Sequence, residues 1–331
     1  MAQIIDDKSQ YCIPFVLEQL DAHNKRHANN PDAPPFFLGL NGIQGAGKTT
    51  LVTILRSTLS SPPYNLPTIT FSLDDIYLTR ADQLALAAAH PSNPLLQHRG
   101  QPSTHDVPLG KQVFASLRQY LPTRIPLYDK SAFHGQGDRV PVEQWETVND
   151  VSNGQERVKV VIFEGWCVGF RARSEDDVRE AWEDAVRKRD EAGDNKEGGY
   201  KGRLGYVRCE DVRDINEALR AYDEFTDQLD AFIHIDAEDT HYVYDWRQEQ
   251  ESALRASKGT GMTVEEVNNF VDGYYPSYEL FTSTLREGVF KPRHDDGDGE
   301  SKSCHDQALW EGKQLRLVVN RDRKVQQVIR I

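Results

Sequence analysis

The sequence has no long hydrophobic run and few cysteines, and both absences limit its class. No apolar stretch in the 331 residues is long enough to cross a bilayer, so we expect no membrane partner. The first eight residues match neither a secretory signal nor an Arg-rich transit peptide. Four widely spaced cysteines, with no CxxC pair, argue against a structural zinc site and for a reducing compartment. These features predict a cytoplasmic protein.

The sequence also has no excess of positive charge. Its formal net charge is -13, which disfavours general nucleic-acid binding, because such binding relies on Lys and Arg to neutralise phosphates. The same charge would repel ATP at long range, although salt screens that repulsion beyond about 8–10 Å. Capture of a nucleotide would therefore depend on local hydrogen-bond donors.

One motif could supply such donors. Gly42-Ile43-Gln44-Gly45-Ala46-Gly47-Lys48-Thr49 fits G-x-x-x-x-G-K-[ST], the phosphate-binding P-loop. Glycines let backbone N–H groups approach a polyphosphate, while the lysine would reach the β- and γ-phosphates and the threonine hydroxyl would help to hold Mg²⁺. A strand-length apolar run precedes the motif, and Leu51, Ile54, Leu55 and Leu59 follow it at helical spacing. The predicted nucleotide contacts are Gly42, Gln44, Gly45, Ala46, Gly47, Lys48, Thr49 and Thr50.

The wider pattern predicts an α/β protein with a P-loop NTPase fold. Candidate strands lie at residues 36–40, 68–73, 158–163, 231–236, 315–320 and 325–331. Because they alternate with helical segments, we expect a parallel sheet covered by helices on both faces. We expect residues 1–331 to form a single kinase domain with a helical lid and insertions, acting as a monomer or a homodimer.

Two stretches are typical of insertions. Residues 171–208 are dense in charge, and we expect a solvated helix followed by a mobile middle. Residues 291–307 are acidic, and the spacing within 294–301 is also compatible with a calcium loop. The stretch lacks the full EF-hand pattern with Glu at position 12, so we favour a flexible loop.

Acidic residues follow two predicted strands, at Asp74-Asp75 and at Glu164. Parallel sheets place ligands at the carboxyl ends of their strands. One carboxylate could orient Mg²⁺ together with Thr49, and another could accept a proton from an attacking hydroxyl. The alternatives are a helix N-cap for the Asp pair and a structural role for Glu164.

Polar segments between the strands could complete a site. The loops at 97–106 and 126–139 collect hydrogen-bonding groups and positive charge. They suit a pocket for a small polar acceptor, and they equally suit ordinary surface loops. Residues 242–256 predict a helix, from which an arginine could close over the phosphates as a lid or could lie on a solvated face.

Taken together, these motifs resemble the plant- and fungal-type D-glycerate 3-kinases, relatives of uridine kinase, phosphoribulokinase and pantothenate kinase. The matching pieces are residues 42–49, 72–79, 99–106, 128–133, 137–139, 163–166, 246–247, 270–271 and 275–278. The resemblance implies that Asp74 is the base facing the acceptor hydroxyl and that Arg247 is the lid arginine. The predicted catalytic residues are Lys48, Asp74, Glu164 and Arg247, and the predicted metal contacts are Thr49, Asp74 and Glu164. The predicted acceptor contacts are Arg99, Asp106, Tyr128, Asp129, Lys130 and Arg139.

The sequence thus predicts a kinase that uses ATP and Mg²⁺ and phosphorylates a small hydroxy acid, with D-glycerate giving 3-phosphoglycerate as the leading reaction. A kinase of another small alcohol, such as a nucleoside or a pantothenate-like compound, is one alternative, and a non-catalytic ATP-binding switch is another. The chain departs from the family pattern in the insertion after Phe170. It also departs at Gln101, where we expect Asn or Gly, and at Gln136, where we expect a basic residue.

Overall fold

The fold is a six-stranded sheet between layers of helices. The structure is a computed structural model and describes residues 6–28, 30, 32–193, 199–259, 261–292 and 310–331. The middle of the predicted insertion, at 194–198, and the predicted acidic loop from residue 293 onward lie outside the described residues. The described strands are β1 (Phe36–Gly42), β2 (Thr68–Ser72), β3 (Thr123–Ile125), β4 (Tyr128–Asp129), β5 (Asp138–Arg139), β6 (Glu146–Val148), β7 (Val160–Gly165), β8 (Ala231–Ala237), β9 (Gln314–Val319) and β10 (Val325–Arg330).

Six of these strands form the main sheet, in the order β10-β9-β8-β1-β7-β2. The five strands from β9 to β2 pair in parallel, whereas β10 runs antiparallel to β9. Only residues 320–324 separate β9 from β10, which is enough for a hairpin but too short for a parallel crossover. All six strands predicted from the sequence are present, and they form a mostly parallel sheet that ends in one antiparallel strand.

Helices cover both faces of the sheet. They are α1 (Ser9–Arg26), α2 (Lys48–Ser60), α3 (Arg80–Ala89), α4 (Val107–Arg118), α5 (Glu175–Ala192), α6 (Cys209–Leu219), α7 (Asp223–Thr226), α8 (Tyr242–Lys258), α9 (Val264–Asp272) and α10 (Tyr275–Glu287). Helices α1 and α2 pack on one face. On the other face, Phe114 of α4 lies 5.0 Å from Phe37 of β1 and from Phe163 of β7, between ring centroids. Burial of these apolar groups is the main stabilising term for such a layered fold.

Local signals in the sequence set several of the boundaries. Helix α9 begins at a capping box, in which the Thr263 hydroxyl accepts from the Glu266 amide and the Glu266 carboxylate accepts from the Thr263 amide. The charged segment after Phe170 forms α5, which is largely exposed and buries Val178 and Ala185. Among the described residues, we find no helix that combines the length and the apolar character needed to span a membrane.

Candidate active site

The P-loop connects the buried strand β1 to α2, so its position is fixed by the centre of the sheet. Gly45 and Gly47 have φ values of +81° and +95°, which disfavour residues with a side chain. A Cβ added at Gly45 would lie 2.4 Å from Cβ of Trp246, because α8 packs directly on the loop. The motif therefore adopts the strand, glycine turn and helix arrangement that its chemistry requires.

Lys48 is the buried cation of this loop. Its ammonium donates to the Gly42 carbonyl at 2.6 Å and to the Ile43 carbonyl at 3.3 Å. Burial lowers the pKa of Lys48, while the negative charges of Glu164 and Asp74 act in the opposite direction. Thr49 and Thr50 follow in the first turn of α2, where the helix dipole favours anions.

Asp74 lies in a short 3₁₀ turn directly after β2, where the Ser72 hydroxyl accepts from its amide. One carboxylate oxygen, Oδ2, accepts from the Lys130 ammonium at 2.5 Å. The other, Oδ1, is buried and makes no close hydrogen bond within the described parts of the chain, although the Tyr77 hydroxyl also acts on this carboxylate as a donor. Burial alone would raise the pKa of Asp74, but the charge and hydrogen bond of Lys130, together with the Tyr77 hydroxyl, outweigh it and lower the pKa. Asp74 is therefore an ionised carboxylate beside Lys130 and Tyr77.

Glu164 and Asp75 flank this carboxylate. Glu164 pairs in register with Ser72 of β2, so it reaches the same edge of the sheet as Asp74. With Thr49 it borders an open groove of about 830 Å³ beside α2. Burial raises the pKa of Asp75 to about 6, against the hydrogen bonds that its carboxylate accepts from the Tyr128 and Ser72 amides. Asp75 is thus held by the backbone, but the residue that caps this turn is Ser72 and not the Asp pair considered from the sequence.

The loop at 99–106 pairs with the residues after β2, because Leu78 donates its amide to the Thr104 carbonyl at 2.9 Å. Asp106 caps α4 by accepting from the Leu109 amide at 3.0 Å, and its second oxygen lies 3.0 Å from Arg139. Both Asp106 oxygens are therefore engaged within the protein. In the same loop, Gln101 donates to the Gly273 carbonyl and accepts from the Ser277 hydroxyl, so it joins this loop to α10.

The loop at 128–139 carries Lys130 and is held by Arg99. The Arg99 guanidinium donates to the carbonyls of Lys130, Gly135 and Gln136. The Asp129 carboxylate accepts from the amide and hydroxyl of Ser131 in a local turn. Among the predicted acceptor contacts, Lys130 thus lies directly beside Asp74, and Arg99 acts on the loop that positions it.

Arg139 and Tyr128 close the other side of this loop. Arg139 donates to the Tyr77 carbonyl at 2.9 Å. The Tyr128 ring packs edge-on against the Tyr77 ring, with 5.4 Å between centroids. These contacts join the loop to the segment that follows Asp74.

Helix α8 brings Arg247 to the site. Its guanidinium forms an ion pair of 2.6 Å with Glu251 and stacks over the Phe270 ring at 5.0 Å. The adjacent Trp246 donates its indole N–H to the Arg321 carbonyl at 2.7 Å. The structure therefore places Arg247 on the helix that covers the P-loop, as the lid interpretation requires.

A magnesium site fits the residues at this edge of the sheet. Mg²⁺ prefers hard oxygen ligands and is usually bound through one or two carboxylates together with substrate phosphates. Asp74 Oδ1, Glu164 and the Thr49 hydroxyl provide such donors. The described residues contain no group of three or more His, Cys, Asp or Glu side chains that could hold a metal on their own.

Known proteins are similar to this chain over most of its length, although no family model matches it. A Schizosaccharomyces pombe protein named as an uncharacterized kinase, mug58, is 37% identical over 80% of this chain and 87% of its own length. The chloroplastic D-glycerate 3-kinase of Arabidopsis thaliana is 33% identical over 83% of this chain, which spans about half (54%) of the plant protein. The solved D-glycerate 3-kinase of Cryptococcus neoformans is 34% identical, with a TM-score of 0.80 over 99% of this chain and all of that one. The chain belongs to the D-glycerate 3-kinase family.

Membership in the D-glycerate 3-kinase family confirms the resemblance, the P-loop kinase fold and the assignment as an ATP-dependent phosphotransferase. The roles of individual residues stay predictions. For Asp106, the sequence did contain a signal of its structural role. Asp106 precedes helix α4 and Pro108 follows at an early helical position, which is typical of a helix N-cap.

Sequence reasoning missed a buried aromatic group behind Asp74 in this kinase. The Tyr77 ring stacks on His105 at 4.5 Å, and His105 Nδ1 lies 2.7 Å from the Tyr222 hydroxyl. Burial lowers the pKa of His105 to about 3, so this ring is neutral at physiological pH. Sequence reasoning also missed Arg323, whose guanidinium reaches the P-loop from the turn between β9 and β10.

Proposed function

We propose that this kinase transfers the γ-phosphate of Mg·ATP to a hydroxyl of D-glycerate and forms 3-phosphoglycerate. The observation that carries the proposal is the ionised Asp74 carboxylate, which has one oxygen on Lys130 and the other without a close hydrogen bond to the described residues. It lies close enough to the P-loop lysine for the two charges to interact. The relatives named D-glycerate 3-kinase support the choice of acceptor.

In this proposal, Asp74 Oδ1 accepts a hydrogen bond from the acceptor hydroxyl and then takes its proton as the oxygen attacks phosphorus. Lys130 keeps the carboxylate ionised, because its positive charge outweighs the effect of burial. The leaving oxygen belongs to ADP, whose phosphates remain on Lys48 and on the amides of the P-loop. Arg247 would neutralise charge on the transferred group after moving from Glu251.

We propose that Thr49 and Glu164 hold Mg²⁺, which neutralises charge on the phosphates when it is bound. An oxygen that receives the acceptor proton cannot ligate a metal at the same moment, so Asp74 Oδ1 would act as the base while Thr49 and Glu164 would hold the ion.

For the acceptor carboxylate, Lys130 could provide a positive charge, since its side chain remains 56% exposed while it contacts Asp74. Arg80 adds a second cation, because it stacks over Phe133 at 4.6 Å and donates to Gln136. Gln136, at a position where we expected a basic residue, thus accepts a hydrogen bond from Arg80 of α3. We propose that Asp106, Tyr128, Asp129 and Arg139 shape this pocket.

We also propose that residues 1–331 act as a single kinase domain, as a monomer or a homodimer, in the cytoplasm. One continuous apolar core reaches from Cys12 in α1 to Val319 in β9. The described cysteines Cys12, Cys167 and Cys209 are free thiols, which suits a reducing compartment.

A coupled ADP-release assay tests the function with D-glycerate, uridine, pantothenate and ribulose-5-phosphate as acceptors. We expect turnover stimulated by D-glycerate, and Asp74→Asn should lower kcat by about 10²–10⁴ with little change in nucleotide affinity. Asp82→Asn, in the first turn of α3, is the matched control. Turnover with another acceptor alone would refute the named substrate, and nucleotide binding without any turnover would favour a switch.

A further inference from the structure

The turn between β9 and β10 reaches the P-loop through one side chain. Arg323 Nε donates to the Gly45 carbonyl at 2.7 Å. Its guanidinium lies 5.1 Å from the centroid of the Trp246 ring and pairs with Glu249 at 2.6 Å. Trp246 and Glu249 both belong to α8. A single arginine therefore contacts the phosphate-binding loop and the helix that covers it.

The position of Arg323 is itself tightly specified. Its φ of +64° lies in the left-handed region, which is unfavourable for a residue with a side chain and persists only where the surroundings enforce it. Its amide donates to the Asn320 carbonyl at 2.9 Å. Its carbonyl accepts from the Lys8 ammonium at 2.6 Å, and its side chain is only 11% exposed. These contacts keep the guanidinium directed at the P-loop.

The contact with Gly45 fixes the orientation of one peptide unit in the P-loop. The carbonyl and N–H of a trans peptide point in opposite directions. Since the Gly45 carbonyl points outward to Arg323, the Ala46 amide points into the loop, where it donates to the Ile43 carbonyl at 3.2 Å. Hydrogen bonds from a charged donor are stronger than neutral ones, especially where water is largely excluded.

We propose that Arg323 is a positioning residue for the nucleotide. By holding the Gly45 carbonyl it fixes the turn of the phosphate-binding loop, in which the Ala46 amide donates to the Ile43 carbonyl, and by holding Glu249 it aligns α8, the helix that carries Arg247. This inference rests on the proposed nucleotide site, and it adds a residue outside the P-loop motif that determines how tightly the site binds.

The test compares two arginines of the same turn. Arg323→Gln should raise the Kd for Mg·ADP, measured by calorimetry, about 10-fold, as expected for loss of a charged hydrogen bond. The KM for the acceptor at saturating Mg·ATP should change less than about twofold. Arg321→Gln is the matched control, because Arg321 pairs with Asp245 of the same helix and its side chain does not contact the P-loop. It should leave the Kd for Mg·ADP unchanged.

Two further variants keep the test decisive if Arg323→Gln folds poorly. Arg323→Lys retains a charged donor and should recover part of the lost affinity. Glu249→Gln should weaken binding by itself and add little to Arg323→Gln, because it acts through the same guanidinium. Thermal unfolding without nucleotide separates this role from a purely structural one, which would lower the midpoint and leave the Kd unchanged.

If the wild-type protein binds Mg·ADP and the variants of Arg323 and Arg321 bind it equally well, the role of Arg323 is refuted and the proposed function stands. If the wild-type protein binds no nucleotide, both proposals are refuted together.

Discussion

Replacing Lys130 with Met should move the acidic limb of the pH–rate profile to higher pH. The Lys130 ammonium lies 2.5 Å from Asp74 Oδ2, and it is the main influence that opposes burial of this carboxylate. With Lys130 in place, the pKa of Asp74 is below its ordinary value, so the proposed base is ionised throughout the neutral range. Without it, burial dominates, the pKa rises, and a higher pH is needed to ionise the base.

The size of this shift follows from the geometry of the pair. An opposite charge within about 4–6 Å commonly lowers a carboxyl pKa by about 1–3 units. Lys130 is more than half exposed, so solvent partly screens its charge. We therefore expect the limb to move upward in Lys130→Met and to return most of the way in Lys130→Arg.

The assay is kcat/KM for the acceptor at saturating Mg·ATP, measured from pH 3 to 9 in buffers of constant ionic strength, because the pKa of Asp74 lies below its ordinary value. Lys111→Met is the control, because Lys111 forms an exposed ion pair with Glu224 on a different part of the surface. Asp75, with a pKa of about 6, titrates in the same range, so the profile of Asp75→Asn must retain the limb if Asp74 causes it. A limb that stays in place or moves to lower pH in Lys130→Met would refute the reasoning.

Two further predictions concern stability, and denaturant unfolding at pH 7 measures both. Gly45→Ala should lower the free energy of unfolding by about 2–4 kcal/mol, because it combines a positive φ with a Cβ 2.4 Å from a Trp246 atom. Gly47→Ala meets no atom within 4 Å and should cost only the backbone strain of about 1–2 kcal/mol; equal losses would contradict the packing argument. Leu55→Ala, at a fully buried position of α2, should cost about 2–5 kcal/mol, whereas Leu84→Ala, at a half-exposed one, should stay within about 0.5 kcal/mol.

The sequence was informative where periodicity and local motifs determine structure. Strand β7 is rich in buried apolar and β-branched residues, so it was predicted at residues 158–163 and lies at Val160–Gly165. The capping box at Thr263 and the glycines of the P-loop each determine the backbone of a few neighbouring residues, so both could be recognised from the sequence. The short pairs β3–β6 and β4–β5 were missed, because two or three residues carry no periodicity and their partners are distant in sequence.

The site was less predictable where it depends on main-chain groups. Arg99 was predicted to contact the acceptor, which stays a prediction, and sequence reasoning did not find that its donors bind three carbonyls of the loop that carries Lys130. No residue pattern records where a carbonyl points. The same is true of Arg323, whose contact with Gly45 depends on a hairpin that only the folded sheet brings to the P-loop.

Asp7 and Lys8, near the other end of the chain, form hydrogen bonds with the turn that carries Arg323. Asp7 accepts from the Val325 amide at 2.7 Å, and Lys8 binds the Arg323 carbonyl. Trimming the protein to the start of α1 for expression would remove these hydrogen bonds to a turn some 300 residues away, and a bulky tag fused there would weaken them. Recombinant versions that differ only in their first ten residues should therefore differ in nucleotide affinity, and activity comparisons between laboratories would need the same N-terminal boundary.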